Sequence, residues 1–226
     1  ANTPAERTRR RIASFWLALL IFPLMAIAYS TLGFVFGVQS GRPGWFSALQ
    51  APGFVVQAAL SGVGLLLVIA GLLYRPERES TGGIERAAFP VLGNALWMLL
   101  LVCLYFIAVE ELTARYAALE KQTEVAHAMA SGVYAPHFWI SIAAFVLAFV
   151  LVFVQFLLRR FSISALVLAG LLANLGAMLR RYLIVVPSQT HGTLLPYPPG
   201  HYSPSWVELA VILGLVALGT LVFTLI

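Results

Sequence analysis

Six apolar runs alternate with short polar stretches along the chain: Ile12–Val38, Phe54–Tyr74, Ala87–Glu110, His137–Leu158, Ser164–Val186 and Pro204–Ile226. A hydrocarbon core about 30 Å thick takes about 20 residues of helix, so each run predicts a membrane span. The expected fold class is all-α, a polytopic membrane helix bundle forming one transmembrane domain over residues 1–226. The first run contains Pro23, which removes an internal hydrogen bond and predicts a tilted or kinked helix. Between the first two runs, Gln39–Gly53 is punctuated by Gly and Pro around Trp45 and Phe46, and reads as an interfacial turn.

Composition supports the bilayer as solvent. Of 226 residues, 61% are hydrophobic and 10% are charged, against about 25% charged in an ordinary soluble domain. The net charge of +5 does not point to nucleic acid, because the basic residues sit in short clusters at the ends of the apolar runs. With the N-terminus inside, the inner segments hold Arg7, Arg9, Arg10, Arg11, Arg75, Arg78, Arg86, Arg159 and Arg160, nine in all, and the outer ones hold Arg42, Arg115, Lys121, Arg180 and Arg181, five. That bias predicts both termini in the cytoplasm and a multi-pass protein of the bacterial inner membrane. Ala1–Arg11 is polar and basic and leads into a run too long for a signal-peptide core, so no signal peptide is expected. The long polar segments Glu111–Pro136 and Pro187–Ser203 then lie outside, where a partner would dock.

Candidate chemistry gathers around the charges near the outer helix ends. Gly170, Asn174, Ala177 and Arg181 follow i, i+4, i+7, i+11 spacing and share one helix face. Small residues there let another helix approach closely, and Asn174 and Arg181 are expected to point into the bundle, with Arg180 at the headgroups. Glu208 reads in two ways. Ser205-Trp-Val-Glu208 matches a capping box, whereas Pro204 at the first helical position makes Glu208 a buried carboxylate for Arg181. Glu110 and Glu111 close the third helix; Arg115, at i+4 from Glu111, offers that residue a local pair and leaves Glu110 as the candidate buried acid. His137, opening the fourth helix, completes the candidates for a proton path or buried ion pair. One cysteine, Cys103, excludes a Cys-based iron–sulfur or zinc site within the chain, and the histidine placement argues against bis-imidazole haem, so no haem or metal is expected.

Three stretches carry a family resemblance. Tyr29 through Trp45, closing with Gly-Arg-Pro-Gly-Trp, is one; Tyr105-Phe-Ile-Ala-Val-Glu110-Glu111-Leu-Thr-Ala-Arg-Tyr116 is another. The third joins Arg180-Arg-Tyr-Leu-Ile-Val-Val-Pro-Ser-Gln to Tyr202-Ser-Pro-Ser-Trp-Val-Glu208-Leu. Together they resemble the NrfD/PsrC-type integral membrane subunits, as in polysulfide reductase and alternative complex III. The resemblance implies a subunit without a redox cofactor of its own, which binds exchangeable quinone or quinol and docks a periplasmic iron–sulfur protein. Members of that family carry further helices in a first bundle that holds most of the quinone pocket. The resemblance thus makes residues 12–38 the last helix of that bundle and 54–226 mainly the second, with the N-terminal helices absent here or supplied by another chain. Tyr29 and Arg42 are the quinone-binding candidates from that region. The expected function is a quinone-interacting membrane subunit of a respiratory oxidoreductase, with proton translocation as an added expectation. The competing readings are an ion or small-solute transporter and a catalytically silent membrane anchor.

Overall fold

In the computed structural model, residues 4–42, 44–74, 84–116, 120–190, 202 and 204–225 are described. Seven helices appear among them: α1 (Pro4–Gly37), α2 (Gln50–Leu73), α3 (Ala88–Tyr116), α4 (Glu120–Ala130), α5 (Ala135–Leu157), α6 (Ile163–Thr190) and α7 (Trp206–Leu225). No strand occurs among the described residues. Five helices, α1, α2, α3, α5 and α6, are long and apolar enough to cross a membrane, where six were expected. The sixth run forms helix α7, of 20 residues.

The helices outrun the apolar runs that predicted them. α1 starts in the basic N-terminal segment and continues through Pro23 without a break. α6 passes Pro187, and the Thr190 hydroxyl donates to the carbonyls of Val186 and Pro187 at 3.1 Å each. α4 was not anticipated: it opens with five polar residues and lacks a strong apolar stripe, and among its described residues Val125 and Ala126 are buried.

The described residues fall into two units, one of residues up to 190 and a second with α7. In the first, α2 packs on α3, α3 on α5, α5 on α6 and α6 on α2, a closed four-helix ring with α1 laid against α2. Leu60, Leu67, Phe89, Leu96, Leu100, Phe145, Val152 and Leu166 fill its centre. Close packing depends on small residues. Gly64 of α2 meets Gly170 of α6 backbone to backbone, so tightly that a Cβ on Gly170 would stand 2.6 Å from the Gly64 carbonyl oxygen. The Gly176 carbonyl accepts from Ser141 Oγ of α5 at 3.0 Å.

One end of this ring gathers the turn after α1, the C-terminus of α3, α4, the N-terminus of α5 and the C-terminus of α6. The turn before Gln50 is packed against the bundle. Trp45 is buried and its indole N–H donates to the Ile184 carbonyl of α6, while its ring meets Phe36 edge-on at 4.7 Å. A buried indole needs a partner, and the carbonyl of α6 supplies it. The turn is thereby pinned over the end of the bundle.

The second unit contains α7, whose start answers the question left open at Glu208. The Glu208 Oε2 accepts from the Ser205 backbone N–H at 3.0 Å and from the Tyr202 hydroxyl at 2.6 Å, and the Glu208 N–H donates to Ser205 Oγ at 3.4 Å. This is the capping box, with Ser205 as N-cap and Pro204 one residue before it. Of the two readings of Glu208, the capping box is the one formed, and within its own unit the carboxylate is used up in closing its helix. The loop with His191 and His201, and the segment with Arg75 and Arg78, lie outside the described residues.

Candidate functional site

Two places in the first unit gather several polar side chains around a void. The first is a groove between α1, α2 and α6. α1 touches α2 closely at Gly33, where a Cβ would stand 2.6 Å from the Ala51 Cα, and at Gly37, where it would stand 2.7 Å from the Ser47 carbonyl. Away from that contact the helices leave a groove of about 690 Å³. Phe22, Met25, Leu65 and Met178 give it apolar walls, and Tyr29, Ser61, Asn174 and Arg181 are its polar members. A recess of about 240 Å³ is lined by Tyr29, Leu32, Phe54, Gln57 and Arg181, so Tyr29 and Arg181 belong to both.

Asn174 and Arg181 are held by hydrogen bonds to neighbouring turns and helices. Asn174 donates from Nδ2 to the Gly170 carbonyl one turn back, at 2.9 Å. The guanidinium of Arg181 reaches α2, where Nη2 donates to Ser61 Oγ over a long 3.4 Å. Gln57 is buried on the α2 face. An apolar cleft with a few convergent polar groups is the usual form of a small-molecule site. Three residues that the sequence nominated, Tyr29, Asn174 and Arg181, thus meet in one groove, although they were assigned to different roles. Arg42 does not join them: it sits in the turn after α1, where its backbone carbonyl accepts from the Trp45 N–H at 3.2 Å, and it lines neither recess.

The second place is a cavity of about 100 Å³ at the end of the ring, lined in part by Ser47, Gln50, Glu110, Glu111, Arg180 and Ser188. Here Arg180 Nη2 donates to Glu110 Oε2 in a salt bridge between α6 and α3, with side chains 6% and 21% exposed. The expectation for the two arginines is reversed: Arg180 is buried and Arg181 is exposed. The buried line of α6 runs Leu166, Ala169, Ala173, Gly176, Arg180 and Leu183, one position round from the face drawn through Gly170, Asn174 and Arg181. A shift of one residue is about 100° on a helix. Gly170 and Ala177 lie on the shared border of both faces, which is why spacing alone chose wrongly.

Glu110 was nominated and does form a buried pair, with Arg180. The local Glu111–Arg115 ion pair does not form among the described residues; Glu111 Oε2 is buried without a hydrogen-bond partner, as is Arg180 Nε. His137 is in the first turn of α5, its ring centroid 5.2 Å from that of Tyr182 and its Nδ1 buried without a partner. Sequence reasoning passed over Arg180, Glu111, Gln50, Gln57 and Ser188. The signal available was the phase of the small residues Ala169, Ala173 and Gly176, which leads to Arg180 by the same i+4, i+7, i+11 rule.

The relationships of the chain bear on both places. The family model described as polysulphide reductase, NrfD, matches residues 4–192. The chain belongs to the NrfD family. The match covers the four-helix ring, α1 and α4, and therefore both the groove and the cavity. Among curated relatives, a putative membrane subunit of dimethyl sulfoxide reductase from Halobacterium salinarum is 35% identical over 118 residues, covering 52% of this chain and 26% of its own length. An Hdr-like menaquinol oxidoreductase integral membrane subunit of Archaeoglobus fulgidus is 27% identical over 236 residues, covering 97% of this chain and 56% of its own length. The chain spans about a quarter and just over half of these two relatives. Both relatives are named as membrane subunits of oxidoreductases. Family membership and the five apolar helices make this a multi-pass integral membrane protein.

Proposed function

We propose that this NrfD-family chain is the quinone-interacting membrane subunit of a multi-subunit respiratory oxidoreductase of the bacterial inner membrane. On this reading both termini face the cytoplasm, and the end of the ring carrying Trp45, α4 and Arg180 faces outward. An iron–sulfur subunit would dock there and exchange electrons with quinone or quinol. The menaquinol oxidoreductase relative supports the quinone class, and the arginine and lysine bias supports the orientation. The ring of α2, α3, α5 and α6 fits the role of a second bundle, with α1 as the last helix of a first.

The observation that carries the reading is the convergence of Tyr29, Asn174 and Arg181 on one apolar groove. The residues fit a quinone head and tail. Arg181 and the Tyr29 hydroxyl can donate to a carbonyl oxygen, Asn174 offers a further amide, and Phe22, Met25, Leu65 and Met178 provide apolar contact for a ring or isoprenoid chain. A bound quinol supplies two electrons and two protons. The chain's part is to bind and orient it: Tyr29 can exchange a proton at its hydroxyl, and Arg181 fixes one oxygen by a charge-assisted bond.

Removing that bond sets the first expected result. Arg181→Ala weakens quinone binding about tenfold or more, since a hydrogen bond from a charged group contributes roughly 1.5–3 kcal/mol. Titration of quinone into the purified protein in lipid nanodiscs measures it. Wild-type affinity in Arg181→Ala and in Tyr29→Phe together would sink the groove as the quinone site, and solute flux in liposomes containing this chain alone would favour a transporter instead.

A further inference from the structure

The cavity at the end of the ring holds charges that do not balance. Glu110 neutralises Arg180 through their salt bridge. The carboxyl of Glu111 remains, with Oε2 buried and unpartnered, and the buried Nε of Arg180 is unpartnered too. Among the described residues, the other walls bring no second cation. α4 contributes Val125, Ala126 and Met129, and the turn and α2 contribute Ser47 and Gln50. Arg115, one turn further along α3, is exposed. Glu111 therefore has Arg180, Arg115 and Glu110 as its charged neighbours, of which Arg180 and Glu110 line the cavity wall and are already paired. A second buried carboxylate would meet both the penalty of desolvation and repulsion from Glu110, with the arginine already engaged.

A buried acceptor and a buried donor without partners, beside a void, mark a place for water. The cavity volume of about 100 Å³ leaves room for roughly three waters at about 30 Å³ each. We propose that this cavity is a hydrated proton-holding site, in which Glu111 carries an exchangeable proton while Arg180 keeps Glu110 ionised. In the exchange step the Glu111 O–H bond breaks and its proton passes to a cavity water, leaving a carboxylate; water returns a proton to restore the acid, and no electrons move. Arg180 Nε–H donates to the same water and holds it in place. Glu110, the residue the spacing selected as the proton carrier, is instead the fixed counter-charge. The inference does not rest on the groove being a quinone site.

Infrared spectroscopy of the full chain in lipid nanodiscs, without quinone, tests it. The sequence contains no aspartate, so a protonated side-chain carboxyl band belongs to a glutamate. At neutral pH the wild-type protein should show that band, shifted by exchange into D2O. It should vanish in Glu111→Gln, move in Glu111→Asp and weaken in Glu110→Gln, where Arg180 is freed to pair with Glu111 and the repulsion is gone. If Glu111→Gln does not fold, the wild-type band still decides: with ¹³C-glutamate it must shift, and it must persist in Glu124→Gln and Glu208→Gln. Absence of the band from wild type, or its survival in folded Glu111→Gln, overturns the proposal.

Discussion

Arg180→Ala should destabilise the chain by about 1.5–3 kcal/mol, because it leaves the part-buried carboxylate of Glu110 without its charged partner. The Arg180 side chain is 6% exposed and its Nη2 donates to Glu110 across the α3–α6 contact. Alanine removes the cation and leaves the carboxylate beside an apolar wall of Val125, Ala126 and Leu183. Arg180→Lys should recover only part of the loss. Lysine's compact ammonium can meet Glu110, but it does not reproduce the planar fork that presents Nε to the cavity. The double replacement Arg180→Met with Glu110→Leu should regain most of the stability, because it removes both charges together. Unfolding in mixed micelles, followed by helical circular dichroism, measures all three. A loss under about 1 kcal/mol for Arg180→Ala would show a pair that behaves as if exposed to water.

Gly170→Val should separate α2 from α6. An added Cβ on Gly170 would lie 2.6 Å from the Gly64 carbonyl oxygen and 3.3 Å from Val68 Cγ2, and one on Gly64 would lie 2.7 Å from Asn174 Nδ2. The nearest obstacle is backbone, which has no rotamer to change, so the helices themselves must shift. Overpacking of this kind is expected to cost about 1–3 kcal/mol or more. It should also weaken quinone binding, because Asn174 and Arg181 lie on the helix that is displaced and Ser61 lies on its neighbour. Gly53→Ala is the control. Nothing stands within 4 Å of the added Cβ, and its effect on stability should stay within about 0.5 kcal/mol. Wild-type stability and binding in Gly170→Val would show that the contact can relax without loss.

The long spans and the small-residue contact on α6 were legible because both depend on composition over many residues. Gly170 was picked out for close approach, and it is the residue that meets Gly64. Helix ends were less legible. α1 and α3 continue past their apolar runs because polar helix formers extend them, and α6 continues through Pro187 to Thr190, whose hydroxyl bonds back to the Val186 and Pro187 carbonyls. Glu208 shows the limit of a single local rule: two motifs overlapped by one residue, and the hydrogen bonds of Ser205 and Tyr202 chose between them.

By itself, the sequence determined an all-α chain of long apolar helices with charged side chains concentrated near their ends. It also nominated Tyr29, Asn174, Arg181 and Glu110. Bilayer thickness and hydropathy act on each segment separately, so these features need no knowledge of neighbours. Only the tertiary structure decided that Arg180 rather than Arg181 is buried, that Glu110 is its partner, and that Tyr29 shares a groove with Asn174 and Arg181. Helical spacing gives relative phase along one helix. The absolute direction of a face is set by the helices packed against it, here α2 at Gly64 and α5 at Ser141.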